Sequence, residues 1–346
     1  MDKIEKAVEW YDKNVNIYKQ FSSEVAQIIE KILKTEKIPY QSITQRVKDR
    51  DSYINKCKKD QYLNPIKEIM DVAGIRIIAY TNNDVVRICR IIEQEFKIDN
   101  DNSDNKIDKM DEDKVGYLSV HYIAELNDKR VGLVENSEYK NCRCEVQIRT
   151  LLQHAWAEIE HDRNYKFSGV LPKDIRRRFY LIAGVLEMID REFDALSNEI
   201  DTYSRIVQEK TKENDFDINI DSESLSQYMQ SKFANNKHLV PTTAREAVNK
   251  SVIEELLRFG FVKIQEIDQE LTEEVLKKLL PKAGTRTYTG ILRDLMMLLN
   301  VEKYFAVAYN GSWTITKEKR VKHREEMGIK DIRNYLKDAN IVIYKE

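Results

Sequence analysis

The sequence predicts an α+β protein: a mixed β-sheet flanked by helices, followed by a mostly helical C-terminal domain. Three observations predict it. Within the first 150 residues, segments with the two-residue alternation of strands interleave with segments of helical spacing. From Lys173 to about Lys210, Ile175, Phe179, Ile182, Leu186, Ile189 and Phe193 mark one apolar stripe of a long helix. Beyond residue 225 helical spacing dominates, over Val252 to Phe259, Leu271 to Leu280 and Tyr288 to Leu299.

In chain order, residues 1 to about 35 read as two helices. Val8, Tyr11, Val15, Tyr18 and Phe21 form the stripe of one, and Val25, Ile28, Ile29 and Ile32 that of the other. Pro39 ends this section. Tyr40 to Lys48 reads as a strand, Ile43, Gln45 and Val47 opposing Thr44, Arg46 and Lys48. Asp51 to Lys59 is helix-like, and Asn64-Pro65 opens a short helix, since proline is tolerated in a first turn. Asp71 to Tyr80 is a β-rich run in which Gly74 permits close backbone approach. Thr81-Asn-Asn-Asp84 has the form of an N-cap for a helix from Val85 to Phe96.

Residues 99–114 form a polar, acidic loop expected to be mobile. Its Asp99-x-Asp101-x-Ser103 start is not an EF-hand, because Asp104 and Met110 stand where the glycine and glutamate are needed. Val115 to Leu126 and Arg143 to Arg149 are further strands, and Tyr304 to Ala308 and Ser312 to Ile315 are strand-like pieces near the end. Composition turns acidic and polar near 211–224, which places a first domain at 1–212, a linker at 213–224 and a second domain at 225–346.

A chain of 346 residues suits two domains. Hydrophobic content of 42% supports a core, while 34% charged residues indicate a soluble protein. No apolar run approaches the roughly 20 residues needed to cross a bilayer, and Met1-Asp-Lys-Ile-Glu-Lys lacks a secretory h-region. A cytoplasmic location with no membrane contact is expected. Cys142-Arg-Cys144 has no second pair at zinc-site spacing, so Cys57, Cys89, Cys142 and Cys144 read as buried reduced thiols. A net charge of -2 argues against a broadly basic nucleic-acid surface. The one dense basic run of the second domain, Lys317-x-Lys319-Arg320-x-Lys322-His323-Arg324, reads as a solvated helix face.

Four clusters carry candidate chemistry. Arg46 and Lys48 share a strand face, and Ser52 and Lys56 share one side of the next helix, an arrangement able to clamp a polyphosphate. Asp71 precedes an apolar strand containing Arg76; with Glu145 on a neighbouring strand it forms a candidate Mg²⁺ site. Gly116-Tyr117-Leu118-Ser119-Val120-His121 places Tyr117, Ser119 and His121 on one face, with a ring able to stack on a purine. In Glu145-Val-Gln147-Ile-Arg149-Thr150 the alternation puts a carboxylate, an amide and a guanidinium on one face, costly to bury and unnecessary for stability. The helix that follows aligns Gln153, Trp156, Glu160 and Asn164.

In order and spacing these four clusters resemble the synthetase domain of the RelA/SpoT alarmone family over about residues 20–200. The closing Trp156…Glu160-His161…Tyr165-Lys166 is similar to the small alarmone synthetases. The resemblance implies a nucleotidyltransferase-like sheet and Mg²⁺-dependent transfer of pyrophosphate from ATP to the 3′-OH of GDP or GTP, releasing AMP. It assigns ATP to Arg46, Lys48, Ser52, Lys56 and Arg76, and metal and catalysis to Asp71 and Glu145. The acceptor falls to Tyr117, Ser119, His121, Gln147, Arg149 and His154. With no hydrolase motif upstream, no alarmone hydrolysis is expected. Leu118 departs from the family's usual polar residue, and a basic residue from the preceding loop is unassigned among Lys106, Lys109 and Lys114. The segment 225–346 matches no familiar regulatory region.

A second reading keeps the chemistry and changes the acceptor to the 3′ end of tRNA or to an adenine nucleotide, with the C-terminal domain as a neutralising or sensing module. A third is a binding module without activity, disfavoured by the presence of both carboxylates, the tyrosine and the cations. The long helix from Lys173 offers a surface for a homo-oligomer.

Overall fold

The computed structural model describes residues 2–104, 119–166, 172–234, 250–280 and 286–345, with side chains omitted for 163–166. It divides into two compact units, Met1–Ser197 and Asn198–Glu346.

The first unit opens with α1 (Lys3–Thr35), a single helix of 33 residues where two were expected. No glycine or proline interrupts it, and the Ser22 hydroxyl donates to the Lys19 carbonyl at 2.9 Å within the helix instead of capping a new one. There follow β1 (Ser42–Val47), α2 (Arg50–Cys57), α3 (Pro65–Glu68), β2 (Ala73–Ala79), α4 (Asn82–Glu95) and β3 (Phe96–Ile98). Next come β4 (Val120–Leu126), α5 (Asp128–Val131), β5 (Cys144–Thr150), α6 (Leu151–Lys166) and α7 (Lys173–Lys212), which runs across the division between units. Thr81 caps α4 as expected, its hydroxyl accepting from the Asp84 N–H at 3.2 Å. The three-residue strand β3, whose first residue Phe96 was expected to end the preceding helix, exists because Phe96 and Ile98 pair with Leu126 and Ala124.

The sheet has the order β1-β2-β5-β4-β3, with β2 and β5 parallel and the other neighbours antiparallel. Ile75, Ile77, Val146, Ile148, Val120 and Tyr122 point to one face and join one core with Phe21, Val25 and Ile29 of α1 and Val85, Ile88 and Ile92 of α4. Each such side chain contributes about 1.5–3 kcal/mol on burial. Because the strand period is two, burying this face commits the alternate residues to the other one. All four cysteines are buried and free; burial pushes the Cys142 thiol up to about 11, so it carries no thiolate character at neutral pH.

In its first part α7 is anchored by the buried hydrogen bond from the Thr150 hydroxyl to Asp190 at 2.7 Å. Ile182, Val185, Ile189, Phe193 and Leu196 of the same helix stay exposed.

The second unit builds its own core from the last turns of α7, through Val207, and from α8 (Ser222–Lys232), α9 (Lys250–Phe259), α10 (Ile264–Glu270), α11 (Glu273–Leu279) and α12 (Tyr288–Lys303). β6 (Ile315–Lys317), α13 (Glu318–Glu326), α14 (Ile332–Asp338) and β7 (Val342–Tyr344) complete it. Residues 213–224, read as a linker, contribute Ile218 and Ile220 to this core, and their backbone pairs with Val262 and Ile264. Tyr304 to Ala308 is a π-helical turn rather than a strand. Asn300 leaves the helical region at φ -161°, ψ 96°, and its side chain re-caps the chain at the Lys303 N–H, 2.9 Å away. The expected strand at Ser312 to Ile315 lies slightly later, as β6, and pairs in parallel with β7, which short length hid from periodicity.

Candidate active site

Register assembles the polar face of the first unit. Arg46, Gly74 and Glu145 stand in one row across β1, β2 and β5, and Thr44, Arg76, Gln147 and His121 in the next. Arg149 lies two residues further along β5. Gly74 is the side-chain-free position in this row, and the Arg46 stem crosses β2 there at ordinary van der Waals distance, 3.6 Å from where a Cβ would stand.

Polar side chains form a directed chain along β5. Arg149 donates to Gln147 Oε1 at 2.7 Å, and Gln147 donates to Glu145 Oε2 at 2.9 Å. His121 Nδ1 lies 2.9 Å from Glu145 Oε1, and its Nε2 lies 2.6 Å from the Ser119 hydroxyl. With Glu145 ionised, this network places the proton on Nδ1 and makes Nε2 the acceptor for Ser119. Burial raises the Glu145 pKa, but the hydrogen bonds from His121 and Gln147 outweigh it and hold the group below its ordinary value.

Beside this chain, Asp71 Oδ2 receives both Lys56 (2.8 Å) and Lys48 (3.0 Å). Burial again opposes ionisation and the two lysines prevail, so Asp71 is also held below the usual carboxylate range. Its other oxygen, Oδ1, is buried and without a hydrogen-bond partner. Lys48 owes its position to the end of β1, where its N–H bonds the Val72 carbonyl at 2.9 Å and its carbonyl accepts from Tyr11 at 2.6 Å.

α6 supplies the remaining wall. Glu158 pairs with Arg76 at 3.0 Å and lies 3.7 Å from His154 Nδ1. Burial, then the charges of Arg149 and Arg76, lowers the His154 pKa from 6.5. The folded value therefore lies below the unfolded one, and stability is lost as pH falls through 6.5 toward the folded value. Replacing His154 by Gln is expected to flatten the fall in Tm as pH is lowered through and below 6.5. An unchanged slope in melting curves across that window would refute the assignment.

The expected residues Arg46, Lys48, Lys56, Asp71, Arg76, Ser119, His121, Glu145, Gln147, Arg149 and His154 thus lie on this face, at its margin or on the adjoining helix. Ser52 is placed differently: its N–H bonds Asp49 at 2.8 Å as part of the α2 cap, outside the Lys48–Asp71–Lys56 cluster. Tyr117 lies outside the described residues, as do Gly116, Leu118, Lys106, Lys109 and Lys114. Glu158 went unremarked in the sequence; the available signal was its four-residue spacing from His154 on one helix.

Residues 45–170 match the family described as the region found in RelA / SpoT proteins, so the first unit carries a RelA/SpoT region. The chain is 27% identical to GTP pyrophosphokinase YjbM of Bacillus subtilis (strain 168) over 177 residues, covering 50% of this chain and 80% of that protein. It is 28% identical to GTP pyrophosphokinase YwaC of the same organism over 173 residues, 47% of this chain and 76% of that protein. Among solved structures, the small alarmone synthetase 1 from Bacillus subtilis bound to its product pppGpp aligns at 24% identity, with a TM-score of 0.48, over 56% of this chain and 99% of that one. Among the described residues no helix is long and apolar enough to cross a membrane.

Proposed function

We propose that this chain is a Mg²⁺-dependent pyrophosphokinase that transfers the β,γ-diphosphate of ATP to the 3′-hydroxyl of GDP or GTP and releases AMP. The observation that carries this reading is the polar sheet face, where Asp71, Glu145, the basic side chains Arg46, Lys48, Lys56 and Arg76 and the Glu145–Gln147–Arg149 chain meet in one RelA/SpoT region. The names of the two Bacillus relatives, both GTP pyrophosphokinases, support it.

The residues present fit a magnesium ion. Asp71 keeps a buried oxygen without a partner, and Glu145 sits on the adjacent strand, close enough for Asp71 to raise its pKa. Among the described residues no three acidic, histidine or cysteine side chains gather to hold a metal by themselves. Two carboxylates, one with a free buried oxygen, are a donor set that substrate phosphates could complete around the ion. When bound, the ion would neutralise phosphate charge.

Lys48 and Lys56, paired to Asp71 in the free chain, are placed to turn to the ATP phosphates, with Arg46 and Arg76 flanking the nucleotide. Gln147, Arg149, His121 and Ser119 orient Glu145 and border the acceptor. The acceptor 3′-oxygen attacks the β-phosphorus as the bond from that phosphorus to the bridging α-oxygen breaks. Glu145 takes the hydroxyl proton, and AMP leaves with the bridging oxygen and its electron pair. In such transfers the protein mainly positions groups and stabilises charge.

Purified chain with [γ-³²P]ATP and Mg²⁺ is expected to label GDP or GTP, to release AMP, and to lose both signals when EDTA is added. Offering ATP or deacylated tRNA separately tests the acceptor. Label on tRNA or adenine nucleotide alone would overturn the guanine assignment, and label on no acceptor would overturn the transferase reading.

A further inference from the structure

We propose that the second unit holds a binding site for a phosphoryl group, formed by Arg286, Arg320, His323 and Arg324 around the buried Asp294. This site lies outside the RelA/SpoT region and is independent of the reaction proposed for the first unit.

Charge balance points to it. Asp294 on α12 is 0% exposed and its carboxylate is shared by Arg286 and Arg324, themselves 7% and 5% exposed. Two buried guanidiniums thus face one carboxylate. The neighbouring Arg293 is neutralised separately by Glu255, at 2.7 and 2.8 Å, so neither offsets this excess. Arg320, one turn before Arg324 on α13, adds a third guanidinium whose charge acts on Arg286.

The carboxylates nearest along α13 are engaged elsewhere: Glu318 and Glu325 each pair with Arg333 at 2.7 Å. Among the described residues no carboxylate pairs with Arg320. His323 borders the same place, its Nε2 3.4 Å from the Leu279 carbonyl that also accepts from Arg286 at 3.3 Å.

One donor is left over. Arg324 Nε donates to Asp294 at 2.8 Å, while its buried Nη1 has no hydrogen-bond partner. A guanidinium fork with a free arm matches the oxygens of a phosphate. Three guanidiniums against one carboxylate leave two positive charges in excess, which a phosphoryl dianion balances and a single carboxylate does not. Such a group comes from a small phosphorylated molecule or from a nucleic-acid backbone. The burial of Arg286 and Arg324 favours the terminal phosphoryl group of a small molecule, because a backbone phosphodiester carries one charge and is hindered by sugars on both sides.

The site has an internal reporter, since Arg324 lies over the Trp313 ring at 5.2 Å. The full chain carrying Lys48→Ala and Lys56→Ala, which removes the first unit's phosphate-directed lysines, is titrated at constant ionic strength. Pyrophosphate, inorganic phosphate and a single-stranded RNA oligonucleotide are the probes, followed by calorimetry and tryptophan emission. Pyrophosphate is expected to bind and to change an emission component absent in Trp313→Phe. The exposed substitution Arg320→Glu is expected to weaken that binding by about tenfold or more. Equal affinity in Arg320→Glu, or no Trp313-dependent change, would overturn the site. Binding of RNA alone would make this face a nucleic-acid contact and refute the small-molecule assignment.

Discussion

Substituting Glu145 by Gln is expected to slow transfer from ATP to the guanine acceptor by about 10²–10³-fold, the range lost when one charge-stabilising group leaves a preorganised site. The change keeps the volume and one carbonyl oxygen. Gln147 retains an acceptor, and His121 loses the anion that holds its proton on Nδ1. ATP affinity, which the proposed function assigns mainly to Lys48, Lys56, Arg46 and Arg76, is expected to fall much less. Rapid-quench turnover and equilibrium ATP binding, measured on the same preparation, separate the two effects. A variant that turns over within tenfold of the parent would remove Glu145 from the chemistry. Because the Glu145 and Asp71 pKa values are both lowered, both carboxylates stay ionised from neutral pH down to their ordinary range. The stability they contribute is lost only as pH falls below that range, through their folded values.

The largest effect on stability is expected at Asp294→Asn. Breaking a buried ion pair by removing one partner costs about 3–5 kcal/mol, because the other charge stays buried and uncompensated. Here two arginines lose their shared carboxylate. Against a domain stability of about 5–15 kcal/mol this is a large fraction, and the second unit is expected to unfold at markedly lower urea. Glu318→Gln is the control, since its pair with Arg333 lies at the surface, where solvent screening leaves an ion pair little net effect on stability. Urea titration read by Trp313 emission distinguishes them, and equal midpoints for the two variants would show that Asp294 carries no such burden.

Much of the site is written in local sequence. Alternation alone places Glu145, Gln147 and Arg149 together on β5, because a strand buried on one face leaves its partners on the other. The same reasoning finds His121, and the preference for a hydroxyl at helix starts finds the cap at Thr81. The pairing of Asp71 with Lys48 and Lys56 is another matter. Those residues come from the end of β1, from α2 and from the loop before β2, and only the packing of these elements brings one carboxylate oxygen within 3.0 Å of both cations. Glu158 meets Arg76 from a helix 82 residues away in sequence, a contact with no local signature.

The second unit divides the two sources of information most clearly. Helical spacing locates α9 and α12, since the apolar stripe that drives their burial repeats every three or four residues. It also suggested a solvated basic face over 317–324, and Arg320 and Lys322 are indeed exposed. Arg324, in the same run, is buried against Asp294. Periodicity assigns a charged residue to solvent because burial of an unpaired charge is costly, and it cannot see a partner supplied 30 residues earlier. The sequence by itself therefore determined the longer strands and helices, the buried face of the sheet and the polar residues opposite it. The tertiary structure decided which distant charges meet, because pairing cancels a desolvation cost that no local pattern records.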